Sequence, residues 1–301
     1  MRRVRVKAPP QWRRIPPFRL RGMRLRWDGV LAVILAAGFT GARGNVLAME
    51  QEPASPCGAA EIARGTVGRV VDGRTFVLGD GREVRLAAIE VPPVLPPQEA
   101  GGSPDGKAAA AALDALAGGD QVLLRSAEIA SDRYGRLVAY AYTRRDGDEL
   151  FVQGELVTDG FARVGDRVGP GCAGELLSRE KAARKARLGL WADPYYEVLN
   201  VETPVDVPAQ RGRFALVEGK VASVRESGAT IYVNFGRRRS EDITVTVPKR
   251  NERTFAAAGL DLKMLAGHRI RVRGWIEQRN GEDRAWIAAE RPEQIENAEN
   301  D

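Results

Sequence analysis

Residues 70–78, Val-Val-Asp-Gly-Arg-Thr-Phe-Val-Leu, carry the first clear signal of a fold in this sequence. Two runs of β-prone residues flank Asp72-Gly73, a pair that favours a tight turn between antiparallel strands. A second turn at Gly-Asp-Gly, residues 79–81, is followed by another alternating run. The pattern predicts a three-stranded meander, with strands at residues 66–71, 75–78 and 83–89.

Helices and two further strands follow the meander. A proline-rich stretch ends regular structure after residue 91, and Ser103-Pro104 begins an alanine-rich helix, with Ser as N-cap and Pro in the first turn. The later pattern predicts strands at residues 121–128 and 138–143, and helices at 150–159 and 173–187. Five strands with a helix between the third and the fourth predict a small OB-type barrel with helical additions.

The same order of elements returns in the second half of the chain. Three predicted strands, a helical stretch at residues 253–265 and two more strands indicate a second OB-like barrel. The fold class is therefore mainly β with helices (α+β). The predicted organisation is a signal peptide at 1–48, a linker at 49–64, a first domain at 65–195, a linker at 196–212, the OB-like domain at 213–296 and a tail at 297–301.

The positive net charge belongs to the start of the chain. Residues 1–48 hold eleven of the 46 Lys and Arg but one of the 40 Asp and Glu, which leaves 35 basic and 39 acidic residues in the remainder. A basic protein that binds nucleic acid through its overall charge is therefore excluded.

The first 48 residues resemble a targeting segment. An Arg-rich stretch precedes an apolar run at residues 29–39, which is short for a membrane span and suits the apolar region of a signal peptide. We expect cleavage after Ala48, export to the periplasm or the medium, and no stable membrane span in the mature protein. The alternatives are a retained N-terminal anchor and, from Arg13-Arg14, a twin-Arg signal.

Cys57 and Cys172 are the two cysteines of the chain. In an oxidising compartment they could form a disulfide that joins the start of the first domain to the segment before its last helix. The alternative is a pair of reduced thiols. With one His in the sequence, a zinc site is not expected.

The first domain resembles the staphylococcal nuclease (thermonuclease) family over most of residues 65–191. The motifs that carry the resemblance are Val71-Asp-Gly-x-Thr75, Val84-Arg-Leu86, Ile89-Glu-x-Pro92, Asp132-Arg-Tyr-Gly-Arg-x-x-Ala-Tyr140 and the closing Gly-Leu-Trp191. Their order along the chain is more specific than any one of them. The second barrel lies outside the resemblance.

The resemblance implies calcium-dependent cleavage of DNA and RNA phosphodiesters. Two carboxylates would hold the cation, a Glu would activate water, and two Arg would stabilise the phosphate in the transition state. The two arginine positions match as Arg85 and Arg136, whose guanidinium groups suit phosphate recognition. Arg133 and Tyr134, beside Arg136, are candidate substrate contacts.

The acidic positions mostly depart from the family. Arg74 stands where the resemblance implies a metal-binding acid, and Pro93 stands at the position of the water-activating Glu. Glu90 replaces the second metal-binding Asp, and Asp72 is a supporting acid. The tyrosines expected after Arg163-Val164 are missing. Calcium is therefore expected as a cofactor if the protein is active, with Glu90 and Asp72 as the remaining candidate ligands.

We hypothesise that Arg74 occupies the vacated metal position and pairs with Glu90. Arg85 and Arg136 would then lie beside it in a pocket that holds phosphate without cutting it. One alternative is an exposed Arg74 on a loop. Another is that a different acid supplies the missing ligand, for which the candidates are Asp80, Glu83, Glu99 and Asp105.

The second barrel offers aromatic and basic residues that could bind single strands or oligosaccharides. Arg269, Arg271 and Arg273 alternate and so share one strand face, and Arg237-Arg238-Arg239 lies at a turn. The alternative is a solvated strand face, with the aromatic residues in the core. The aromatic candidates on predicted strands are Tyr232, Phe235, Trp275 and Trp286.

Three classes of function follow. The preferred one is an exported protein with a degenerate catalytic set that binds nucleic acid or another phosphate-bearing ligand. The second is an active calcium-dependent endonuclease. The third is a protein-interaction module of the cell envelope, which the excess of acid in residues 49–200, 23 acidic against 18 basic, mildly favours.

Overall fold

The structure is a computed structural model that describes residues 57–93, 106–203, 210–235, 243–278 and 285–299. Residues Gln51–Asp301 form one compact unit. The predicted signal peptide and the Arg237-Arg238-Arg239 turn lie outside the described residues. None of the helices in the described ranges has the length and apolar character needed to cross a membrane.

The first half of the described chain is a β-barrel with three helices. Its strands are β1 (Glu61–Asp72), β2 (Thr75–Leu78), β3 (Glu83–Leu86), β4 (Ile89–Glu90), β5 (Gln121–Ser131), β6 (Leu137–Arg145), β7 (Asp148–Phe151) and β8 (Arg163–Val164). The helices are α1 (Gly106–Ala117), α2 (Val152–Thr158) and α3 (Pro170–Lys185). The strand order β3-β2-β1-β5-β6 closes through a parallel β3–β6 pairing, so the predicted five-stranded OB barrel is confirmed.

The structure differs from the prediction at two places in the first barrel. The strand expected at residues 83–89 is divided into β3 and β4, because Ala88 has a φ of 65°, in the left-handed region that a strand does not contain. Leu150 and Phe151 were expected to begin a helix, but they end β7, which pairs with β6 before α2 starts.

Cys57 and Cys172 form a disulfide in this structure, with their Cα atoms 4.5 Å apart. Cys57 precedes β1, and Cys172 lies in the first turn of α3. The hydroxyl of Tyr142 donates a 2.5 Å hydrogen bond to the carbonyl oxygen of Cys57, which fixes the same segment from inside the barrel. The start of the barrel is thus joined to its last helix.

The second half repeats the barrel topology. Its elements are β9 (Leu199–Asn200), β10 (Phe214–Lys220), β11 (Ser223–Ser227), β12 (Thr230–Asn234), β13 (Ile243–Pro248), α4 (Glu252–Ala257), β14 (Arg269–Gln278), β15 (Ala285–Ala288) and β16 (Ile295–Asn297). The order is β11-β12-β13-β15-β14-β10, with β13 parallel to β15. The strands at the two ends of this order, β11 and β10, are consecutive in the chain.

A third apolar cluster lies where the two barrels meet, separate from the two barrel cores. Trp191 and Tyr196 from the end of the first barrel pack with Phe214 and Leu216 of β10. Beside this cluster, Arg273 of β14 is completely buried and pairs with Glu180 of α3 at 2.7 Å. The two barrels are therefore joined by a packed interface with a buried ion pair.

Candidate functional site

Arg74 lies immediately after the turn that the sequence indicated. The Oδ1 atom of Asp72 accepts a 2.8 Å hydrogen bond from the backbone N–H of Arg74, which fixes the turn. The side chain of Arg74 then reaches β4, where Nη1 lies 2.5 Å from Oε1 of Glu90 and donates to the carbonyl oxygen of Ile89 at 2.9 Å. Both charged side chains are 16% exposed. The pairing of Arg74 with Glu90 expected from the sequence is thus present, and an exposed Arg74 is not.

Arg85 lies next to this ion pair. Its partner in the β2–β3 pairing is Thr75, the residue that follows Arg74. The Arg85 side chain is half-buried. Burial lowers the pKa of Arg85, and the positive charges of Arg74 and Arg136 lower it further, against the opposing effect of Glu90. Within the described ranges no carboxylate forms an ion pair with Arg85. This guanidinium is therefore partly desolvated and not neutralised by a direct partner.

Arg136 lies in the tight connection between β5 and β6. Asp132 accepts hydrogen bonds from the backbone N–H groups of Tyr134 and Arg136 and pairs with the Arg136 guanidinium at 2.6 Å. Burial alone would raise the pKa of Asp132, but these hydrogen bonds outweigh it and lower that pKa. The Arg136 side chain is thereby held in one position near Arg85.

Tyr134 projects from the same turn and is 66% exposed. The guanidinium carbon of Arg133 lies 4.7 Å from the centre of its ring, and that of Arg136 lies 5.1 Å from it. Both distances allow cation–π contact. An exposed ring flanked by two cations suits contact with a sugar or base whose phosphate is bound nearby.

The residues at the implied metal position do not fit calcium. Calcium requires six to eight oxygen ligands, whereas the Glu90 carboxylate is engaged by Arg74 and an oxygen of Asp72 by a backbone N–H. The described residues contain no group of three or more His, Cys, Asp and Glu able to hold a metal ion. At an effective dielectric of 20, two unit charges 4 Å apart interact by about 4 kcal/mol, and a divalent ion near Arg74 would double that repulsion.

The other acids proposed from the sequence do not complete a metal site. Asp80 lies in the β2–β3 turn and pairs with Arg82 at 2.7 Å, and Glu83 is exposed at the start of β3. Glu99 and Asp105 lie outside the described residues. Pro93, at the position of the water-activating Glu, is exposed and has no ionisable side chain.

Asp166 is a carboxylate near the site that sequence reasoning did not single out. It follows β8, whose residues Arg163 and Val164 pair with Glu90 and Ile89. Burial raises the pKa of Asp166, and the negative charge of Glu90 raises it further. No local motif marks this residue, since its neighbours come from a strand pairing between positions over seventy residues apart in the chain.

The arginines of β14 are neither a solvated face nor a phosphate-binding groove. Arg271 pairs with Glu218 at 2.5 Å, Arg269 contacts Glu218 and Glu202, and Arg273 lies in the interface described above. Carboxylates from other elements neutralise all three. The sequence could not show this, because the partners are far away along the chain.

Comparisons with known proteins find similarity to the first barrel. A family model described as "Staphylococcal nuclease homologue" matches residues 83–193, which include Arg85, Glu90 and Arg136 and begin after Arg74. The chain is 32% identical over 139 residues to a micrococcal nuclease of Shigella flexneri, across 44% of this chain and 75% of that protein. The second barrel lies beyond the matched family residues.

Proposed function

Because this chain belongs to the staphylococcal nuclease family, we propose that its first barrel binds a phosphate group of nucleic acid, or of another phosphate-bearing ligand, without cutting it through calcium. The observation that carries the proposal is the state of Arg85. It is a half-buried guanidinium within electrostatic reach of two other arginines, and the described residues give it no carboxylate partner. A phosphate oxygen would supply the missing negative charge.

The surrounding charges support an anion at this place rather than a cation. Glu90 neutralises Arg74, and Asp132 neutralises Arg136, so the charge of Arg85 remains to be balanced. A planar guanidinium donates two parallel hydrogen bonds to a phosphate, and such charge-assisted bonds are about twice as strong as neutral ones. The half-buried position strengthens the attraction, since fewer waters screen it.

The loss of calcium-dependent cleavage is proposed from the same residues. Arg74 takes the carboxylate that would bind the ion, and Pro93 offers no base. Removing a general base alone typically lowers a rate by about 10²- to 10⁴-fold. Both the metal and the base of the family's chemistry are therefore lost together.

Export to the periplasm or the medium is also part of the proposal. The Arg-rich and apolar pattern of residues 1–48 supports it, and so does the disulfide between Cys57 and Cys172. Disulfides persist in oxidising compartments and are rare in the cytosol.

Calorimetric titration with inorganic pyrophosphate tests the binding. We expect a complex that weakens as salt rises, and a loss of about 10-fold or more in affinity for Arg85→Gln, because a hydrogen bond to a charged group is worth about 1.5–3 kcal/mol. Arg144→Gln, which removes an exposed arginine at the end of β6, is the matched control. Equal affinities for the two variants would rule out Arg85 as the binding group.

A reversal of the substitutions tests the vacated metal position. Arg74→Asp together with Pro93→Glu removes the guanidinium and returns two carboxylates. We expect calorimetry to detect tighter calcium binding by the double variant than by the natural sequence. An unchanged calcium affinity would show that Arg74 does not occupy the metal position.

A further inference from the structure

Arginine and aromatic side chains alternate across the interface between the two barrels. We name this set the junction ladder; in order of contact its members are Arg213, Tyr195, Tyr196, Arg163, Phe214 and Trp275. The 3₁₀ turn Pro194–Tyr196 and β8 supply the members from the first barrel, and β10, β14 and the residue before β10 supply the others.

Each step of the junction ladder is a direct contact. The guanidinium carbon of Arg213 lies 4.1 Å from the ring centre of Tyr195, whose ring meets that of Tyr196 edge-on at 5.0 Å. The Arg163 guanidinium carbon lies 4.9 Å from the Tyr196 ring and 4.7 Å from the Phe214 ring. The last contact joins Phe214 to Trp275 of β14, whose ring centres lie 5.8 Å apart.

An aromatic ring near each end of the junction ladder is exposed to solvent, while the middle of the ladder is buried. Tyr195 is 39% exposed and Trp275 is 41% exposed. By contrast, Phe235 and Trp286, two other aromatic residues of the second barrel, are buried. Large exposed aromatic rings on a rigid framework indicate a binding surface more strongly than scattered aliphatic residues do.

Arg213 adds a positive charge at one end. Burial lowers the pKa of Arg213, and the guanidinium donates to the carbonyl oxygen of Tyr195 and to Oε1 of Gln210. These two acceptors are neutral oxygens, and no carboxylate in the described part of the chain pairs with Arg213. Like Arg85, this cation would be balanced by an anion from outside the protein.

A middle member of the junction ladder, Arg163, lies one strand pairing away from the proposed phosphate site. Glu90, the partner of Arg74, is opposite Arg163 in the β4–β8 ladder. The Arg163 guanidinium is buried, which lowers its pKa to about 10, and it donates to the carbonyl oxygen of Phe214 at 2.8 Å. A polymer bound at the arginines of the first barrel could therefore extend towards the second.

We propose that the junction ladder is a binding surface for single-stranded nucleic acid, with bases stacked on Tyr195 and Trp275 and a backbone phosphate near Arg213. Every base has a π-face, so such stacking tolerates any sequence. It requires unpaired bases, because those of a duplex are already stacked on each other. The inference rests on the proposed function, since the same strand would place another phosphate at Arg85.

Two probes separate the inference from that function. Thymidine 5′-monophosphate has one base and one phosphate, whereas an oligothymidylate of about 16 nucleotides is long enough for the roughly 4–16 nucleotides that one OB fold typically covers. We expect the full chain to bind the oligonucleotide more tightly. Trp275→Ala and Tyr195→Ala should each weaken oligonucleotide binding by about 10-fold and leave monophosphate binding unchanged.

Control variants distinguish a loss of base stacking from misfolding. Trp275→Phe and Tyr195→Phe keep a ring and should retain most of the affinity. Met264→Ala removes a side chain of the same barrel that is 68% exposed and should have no effect. Since Trp191 and Trp286 are buried, fluorescence quenching by the oligonucleotide should be smaller in Trp275→Phe than in the natural sequence.

The outcomes are distinct. If the oligonucleotide binds equally well to both Ala variants while the monophosphate binds, the inference is wrong, the proposed function stands, and the exposed rings serve another contact, such as a protein. If neither probe binds, both fail. If the Ala variants lose oligonucleotide affinity while Arg85→Gln does not, the junction ladder is supported and the phosphate site in the first barrel is not.

Discussion

The substitution Arg273→Met should destabilise the whole molecule through the interface between the barrels. Arg273 is fully buried, pairs with Glu180 at 2.7 Å and with Glu296 at 2.5 Å, and donates to the carbonyl oxygen of Val164 at 2.9 Å. Burial alone would lower the pKa of Arg273, but the two carboxylates outweigh it and raise that pKa. Its side chain thus stays charged, and Met would leave Glu180, which is 1% exposed, as a buried charge without its arginine.

Breaking a buried ion pair by removing one partner typically costs about 3–5 kcal/mol. Urea unfolding followed by tryptophan fluorescence and circular dichroism measures this loss as a lower midpoint. Arg269→Met is the matched control on the same strand: Arg269 is 29% exposed, and exposed ion pairs contribute about 0–1 kcal/mol.

A second variant tests whether the unpaired charge of Glu180 causes the loss of stability. In Arg273→Met with Glu180→Leu the buried charge is absent, so part of the lost free energy of unfolding should return. A loss below about 1 kcal/mol for Arg273→Met, or a double variant that is no more stable than the single one, would refute the reasoning. Arg273 also donates to Val164, which follows Arg163 in β8. The loss of Arg273 should therefore loosen the junction ladder as well.

Three further variants test other parts of the structure. Burial raises the pKa of Asp166, so the contribution of Asp166 to stability falls as the pH rises above the ordinary aspartate pKa. Asp166→Asn should therefore raise the melting temperature at pH 7 but not below about pH 3. An equal gain at both pH values would contradict this. The Cys57–Cys172 disulfide spans 115 residues, so replacing both cysteines by Ser should cost about 4–5 kcal/mol in urea unfolding, and a loss below about 1 kcal/mol would be inconsistent with the chain-entropy argument. A β-carbon at Gly73 would lie 2.5 Å from a side-chain carbon of α1, so Gly73→Ala should lower the free energy of unfolding by about 1–3 kcal/mol, and an unchanged melting temperature would show that α1 can move away.

Local pattern was enough to predict the two barrels. The Asp72-Gly73 turn and the alternation that follows it predict the meander, and strand side chains of period 2 are visible in any short window of sequence. The closing β3–β6 pairing was supplied by the OB order, not by any one motif. The divided third strand was missed because the left-handed conformation of Ala88 belongs to a residue type that rarely adopts it.

The site was predictable where neighbours are set by one turn or by the family motifs. Arg74 and Glu90 come together as expected, since the resemblance placed both at one position. Asp166 and the partners of Arg273 were not predictable, because each depends on tertiary packing between distant parts of the chain. Alternating arginines on a strand look alike in sequence whether they face water, a ligand or buried carboxylates.

The proposal of phosphate binding without cutting is tested most directly by a cleavage assay. Plasmid DNA and RNA would each be incubated with the full chain, once with calcium and once with a chelator. We predict no calcium-dependent cleavage of either substrate, because Arg74 engages Glu90 and Pro93 cannot act as a base. Cleavage that the chelator stops and that Arg136→Ala abolishes would contradict the account, and it would direct the search for the missing ligand to Glu99 and Asp105.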